Sequence, residues 1–182
     1  MEMVKTMDKP VEKERKMEKA VKRTTEISPD LNRRLGVYLA DLTVLCAKLH
    51  SYHWYVQGLA FFSLHEQFEV FYEKAKADMD ELAERMLAIG MKPVASLKGT
   101  LELADLEERP DEFGSDMEFV KAVREDFFHM VEETEEAIEL SEKAKDDVTN
   151  DMMIGFKKYY DKVLWMLDAS MVKMPEGDES IK

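Results

Sequence analysis

Two histidines, His53 and His65, stand twelve residues apart on either side of Gly58, and Glu69 follows the second at i+4. Further along the same run, Asp80 and Glu84 repeat the i, i+4 spacing. Imidazoles and carboxylates bind first-row transition metals, and a spacing of four places two side chains on one helix face, one turn apart. Two imidazoles with several carboxylates and open positions suit a redox-active ion, above all iron. A structural zinc site is normally closed, four-coordinate and rich in cysteine. The chemistry expected of the set is to bind Fe(II) and expose it to an oxidant. Acidic pairs at this spacing also arise by chance on solvated faces, so the elements that carry them must discriminate.

Leu31, Leu35, Tyr38, Leu42, Leu45 and Leu49 recur at steps of three or four after Ser28-Pro29, which supplies a cap and a first-turn proline. A helix is predicted from about Ser28 to about Gln57. The period resumes after Gly58 with Leu64, Phe68, Phe71, Tyr72, Ala75, Met79, Leu82 and Met86, and stops at Gly90 and Pro93. Between Met91 and Ser115 the pattern breaks around Pro93, Gly99, Pro110 and Gly114, with LELADL as a candidate short helix. Ser115 or Asp116 then caps a third long helix reaching about Lys145, KDDVTND reads as a turn, and a fourth helix runs from about Thr149 to about Lys173. The fold class is all-α: a four-helix bundle, residues 28–174, with one long crossover between its second and third helices, a connectivity that ferritin-like folds share.

On the second helix, taking His65 as zero at about 100° per residue, Glu69 falls near 40°, Asp80 near 60° and Glu84 near 100°. The apolar stripe from Leu64 to Met86 clusters at roughly 240° to 340°, so the ligand stripe points away from the core. Glu69 and Asp80 are also about 16 Å apart along the axis at about 1.5 Å per residue, too far for one ion within one chain. Two antiparallel copies of this helix about a two-fold axis remove the difficulty, bringing Glu69 to the partner's Asp80 and His65 near the partner's Glu84. The Gly58 turn carries His53 back towards His65.

Composition agrees with long helices, with only 7 Gly and 5 Pro in 182 residues. The net charge of -13 disfavours attraction to phosphate backbones or anionic membranes and concentrates cations instead. No window has the roughly 18 to 20 apolar residues of a membrane span, and no apolar run at the start resembles a secretion signal. Cys46, the single cysteine, reads as packing in a reducing compartment, and the expected location is the cytoplasm. Residues 1–27 form a mixed-charge tail with eight Lys/Arg against six Asp/Glu, either helical through Glu/Lys pairs or disordered, and residues 175–182 a short acidic one.

The stretch HSYHWYVQGLAFFSLHEQFEVFYEKAKADMDELAERMLAIG resembles, along its whole length, the signature of Dps proteins, the starvation-induced mini-ferritins. His53-Trp54, FFSLHE at 61 to 66 and DELAER at 80 to 85 carry the match. It continues through AKDDVTND and DKVLWML, covering about 28 to 173. The resemblance implies a hollow homododecamer, built from two-fold dimers, that oxidises Fe(II) with hydrogen peroxide in preference to oxygen. The ferric product is stored as mineral, which protects the cell from oxidative stress. It implies a ferroxidase site, with two iron positions, made by His53, His65 and Glu69 of one subunit with Asp80 and Glu84 of the other. The family commonly has aspartate where Glu69 stands; glutamate keeps the charge and adds a methylene.

Trp54 beside the site reads either as a hydrogen-bond donor and sink for stray oxidising equivalents or as simple packing. Asp146, Asp147 and Asp151 match the acidic segment that lines iron-entry pores in proteins this chain resembles, and capping aspartates of a solvated turn are the alternative. His50 and His129 match no ligand position and read as ordinary helix residues, and the 14 methionines read as core filler. Two other functions compete: a shell that chiefly compacts DNA, which the nearly balanced tail disfavours, and a shell that has lost ferroxidase activity, which the intact five-ligand set disfavours.

Overall fold

The computed structural model describes residues 28–172, so the two expected tails lie outside the described residues. Four long helices, α1 (Pro29–Tyr55), α2 (Phe61–Ala88), α4 (Asp116–Ala144) and α5 (Asp147–Ser170), form the bundle, and a short helix, α3 (Leu97–Leu103), lies in the crossover. Pro29 sits in the first turn of α1, where its missing N–H costs nothing, and Asp30 complements the positive end of the helix dipole.

Neighbouring helices run antiparallel, as their side-chain pairs record. Thr43 of α1 reaches Met79 of α2, Asn150 of α5 donates to the Ile138 carbonyl of α4 at 3.0 Å, and Thr134 of α4 donates to the Tyr38 hydroxyl of α1 at 3.0 Å. The core between them is built from fully buried side chains of all four helices, among them Leu42, Phe68, Phe127 and Tyr160. Each such burial stabilises by about 1.5–3 kcal/mol. Met86, Met91, Met130 and Met153 are buried there as filler. Among the buried charged groups, Asp78 is paired with Lys74 and accepts from the Tyr160 hydroxyl at 3.3 Å. Burial pushes its carboxyl up, and the Lys74 partner only partly offsets this. No helix among the described residues is long and apolar enough to cross a membrane.

Three local features differ from the sequence expectation. The short helix covers LKGTLEL rather than LELADL, because Ser96 accepts from the Gly99 N–H at its start while the Asp41 carboxylate takes the Asp105 and Leu106 N–H groups beyond its end, both at 2.8 Å. KDDVTND is not a turn as a whole: Lys145 alone adopts a left-handed conformation (φ 56°), and Asp146 caps α5 by accepting from the Thr149 N–H. Two-residue strands, β1 (Val56–Gln57) and β2 (Gly114–Ser115), pair in parallel and tie the end of α1 to the start of α4. Both ends of this tie need glycine. Gly58 has φ 139°, and a Cβ there would lie 2.6 Å from the Asp116 carboxylate; a Cβ on Gly114 would overlap the Phe119 ring.

Candidate metal centre

The β1 strand and the Gly58 turn fold the start of α2 back along the end of α1, which brings His53 and His65 into contact. Their rings stack at 3.7 Å between centroids with 19° between planes. His53 Nδ1 lies 2.7 Å from the His65 carbonyl oxygen, and His65 Nδ1 lies 2.8 Å from the His53 carbonyl oxygen. A carbonyl only accepts, so each Nδ1 carries the hydrogen, and in the neutral ring each Nε2 then presents a lone pair. Anchoring one nitrogen on a carbonyl is the usual means by which a protein fixes the tautomer and orientation of a metal-binding imidazole. His53 is buried to 9% exposure and His65 is half-buried, so the pair is packed in place rather than mobile on the surface.

Along α2 carboxylates follow the histidine pair. Glu69, Asp80 and Glu84 are exposed in the single chain, whereas Phe68, Phe71, Ala75, Leu82 and Met86 of the same helix are buried. The ligand and core faces are thus distinct. One chain brings together His53, His65 and, one turn on, Glu69. It leaves Asp80 about 16 Å beyond Glu69 along the helix, and Glu84 a turn further still.

Aromatic side chains continue the histidine stack on both sides. Phe61 stacks on His65 at 5.2 Å, and Tyr72 meets His53 edge-on at 5.6 Å and 88°. His50, read from the sequence as an ordinary helix residue, stacks on Tyr72 at 4.0 Å and 16°, and Trp54 lies 5.4 Å beyond it with 62% of its surface exposed. Partial desolvation and then the neighbouring Glu69 and Glu73 carboxylates raise the Tyr72 phenol above its ordinary value.

A second polar cluster lies under the crossover. Asp41, fully buried on α1, accepts the two crossover N–H groups with Oδ1 and meets His129 Nε2 of α4 at 3.0 Å with Oδ2. Arg34 pairs with Glu133 and Glu136 beside it. Asp41, Asp105 and Glu133 hold one carboxylate oxygen each within 4.8 Å of one another, a spacing that would suit a cation, but the Arg34 guanidinium already supplies positive charge there. The sequence signal was an aspartate within the apolar stripe of α1, three residues after Tyr38. Asp41→Ala is expected to destabilise the fold by about 3 kcal/mol, since it strands two backbone donors and leaves the surrounding charges unbalanced, and a urea unfolding curve would show it. The hydrogen bond to Asp41 raises the His129 pKa against opposing desolvation. Its contribution is therefore complete below about pH 6.5 and is lost as pH rises through the raised folded value, and it is small because the ring is partly exposed.

Of the acidic segment, Asp146 is engaged with Arg85 Nη2 at 2.5 Å and with Thr149. Partial burial works against ionisation, but the hydrogen bonds from Thr149 and the Arg85 charge hold its carboxyl below the usual range. Asp147 and Asp151 are exposed, one turn apart on α5.

A family model for the ferritin-like domain matches residues 32–176. DNA protection during starvation protein 2 of Bacillus anthracis is 40% identical over 136 residues, 74% of this chain and 92% of that protein. The DNA protection during starvation protein of Listeria innocua is 41% identical over 152 residues, 81% and 96% of the two chains. The chain belongs to the Dps family. The crystal structure of Dps from Staphylococcus aureus superposes with a TM-score of 0.77 at 39% identity, covering 81% of this chain and 98% of that one. The all-α, ferritin-like architecture of this Dps-family chain is therefore established, and the matched region contains the histidine pair, the α2 carboxylates and the crossover.

Proposed function

We propose that this chain is the subunit of a hollow Dps-type homododecamer that oxidises Fe(II), preferentially with hydrogen peroxide, and stores the ferric product inside. The observation that carries the reading is the reciprocal anchoring of His53 and His65, which leaves two Nε2 lone pairs on a wall next to Glu69. Each site is completed by the partner subunit's Asp80 and the partner subunit's Glu84, and it holds two iron positions, one bound mainly by the histidines. Fe(II) and peroxide are substrates. Two Fe(II) ions each lose one electron, the peroxide O–O bond breaks, and two protons complete two molecules of water. Taking both electrons in one event avoids the one-electron step that releases hydroxyl radical.

The exposed Asp147 and Asp151, with Asp146 holding the start of α5 in place, supply negative charge suited to drawing Fe(II) towards a pore. Trp54, exposed beyond the site, is suited to absorbing stray oxidising equivalents. Protection of DNA follows from removing Fe(II) and peroxide, without DNA contact, as the charge of -13 favours. Burial pushes the Cys46 thiol up to about 11, so it stays protonated and inert, as suits a cytoplasmic protein. Anaerobic loading with Fe(II), followed by one hydrogen peroxide per two irons, is expected to give a fast rise in ferric absorbance with the iron eluting in a large particle. Oxidation no faster than in buffer, with iron precipitating outside the protein, would reject this function.

A further inference from the structure

We propose that Tyr72, braced by His50, is a positioning residue for the metal-binding groups of this subunit, setting the plane of the His53 ring. The proposal rests on the reading of the histidine pair as an Fe(II) site and deepens it.

A ring held at Nδ1 alone can still swing about that bond, so the groups along its edges decide where Nε2 points. His53 has His65 stacked on one side, at 3.7 Å, and the Tyr72 ring standing perpendicular to it at 5.6 Å. Tyr72 is itself fixed by His50, which lies flat against it at 4.0 Å and donates from Nδ1 to the Cys46 carbonyl at 2.7 Å, one turn back along α1. A line of contacts thus runs from the α1 backbone through His50 and Tyr72 to the ligand. A carbonyl fixes the His50 ring as it does His53 and His65, yet the ring His50 lies against is that of Tyr72, at 4.0 Å. Its evident contact is the tyrosine.

Tyr72 follows Glu69 by three residues and therefore shares its helix face as its neighbour. Glutamate at this position has one more rotatable bond than aspartate. The Tyr72 ring beside it narrows the space open to the longer arm. Residues that orient metal ligands from behind typically contribute 10–100-fold to metal affinity.

The test uses the full-length assembled protein and anaerobic titration with Co(II), which is redox-silent here and reports ligand geometry through its visible absorption bands. Tyr72→Leu is expected to weaken Co(II) binding about tenfold and shift the bands. Tyr72→Phe, which keeps the ring that meets His53 and His50, is expected to lose less than Tyr72→Leu. His50→Ala is expected to shift the bands in the same direction as Tyr72→Leu, with Tyr72 still in place, and it decides the matter should Tyr72→Leu fail to assemble. Unchanged affinity and bands in Tyr72→Leu and His50→Ala, alongside lost binding in His53→Ala, would overturn the positioning role and leave the site intact. Undiminished binding in His53→Ala would overturn the site itself, and the proposal with it.

Discussion

Replacing His65 and Glu69 together by alanine is expected to slow peroxide-driven Fe(II) oxidation by at least about a hundredfold while the protein still elutes as an assembled particle. The rate falls because the change removes one Nε2 donor, one carboxylate and the ring on which His53 stacks. Assembly of the fold survives because the helix core is carried by Phe68, Phe71, Leu82 and Met86 on another face, and neither substituted side chain is fully buried. The main-chain carbonyl of residue 65 remains, so the His53 anchor is not itself deleted. The measurement is stopped-flow ferric absorbance with size-exclusion elution on the same sample. A wild-type rate in an intact particle would sink the ligand assignment.

Mixing two inactive variants is expected to restore activity, and this is the larger qualitative effect. One variant carries His65→Ala with Glu69→Ala, the other Asp80→Ala with Glu84→Ala. Each alone lacks half of every site. In a hybrid two-fold dimer the intact histidine side of one subunit faces the intact carboxylate side of its partner, giving one complete site and one that keeps only His53 of its five ligands. Random reassembly after unfolding makes half the dimers hybrid, so about a quarter of the wild-type rate should return. If both half-sites worked within one chain, mixing would add nothing. The roughly 16 Å along α2 between Glu69 and Asp80 is what excludes the single-chain arrangement.

Much of this architecture is legible in the sequence because helical periodicity is a local property. The steps of three and four in α1 and α2 give the helices to within a few residues, and the same wheel separates Glu69, Asp80 and Glu84 from the core side chains. The reach of Gly58 predicts that His53 and His65 meet. What escaped was set by contacts between distant segments. The second half of LELADL leaves the helix because Asp41 captures the Asp105 and Leu106 backbone donors, and nothing within that segment reports the position of a carboxylate more than sixty residues away. β1 and β2 are two residues each, too short to leave an alternating pattern. His50 and His129 look alike on a helical wheel. Only the packed bundle shows one against Tyr72 and the other against a buried aspartate.

The parallel tie between Val56–Gln57 and Gly114–Ser115 also bears on when the site comes into being. It joins segments widely separated in the chain, and the Asp116 carboxylate closes on Gly58 from the α4 side. Closing so large a loop is entropically costly and belongs late in folding, after the local helices have formed. The turn that holds the histidine pair therefore settles only once the crossover has come home. Pulse-labelled hydrogen exchange should show amide protection in the β1–β2 pair, apart from the Val56 N–H that α1 already holds, appearing after protection in the middle of α1. A newly made chain would then pass through most of its folding without a competent iron trap, and capture of a reactive ion would wait for a subunit ready to meet its partner.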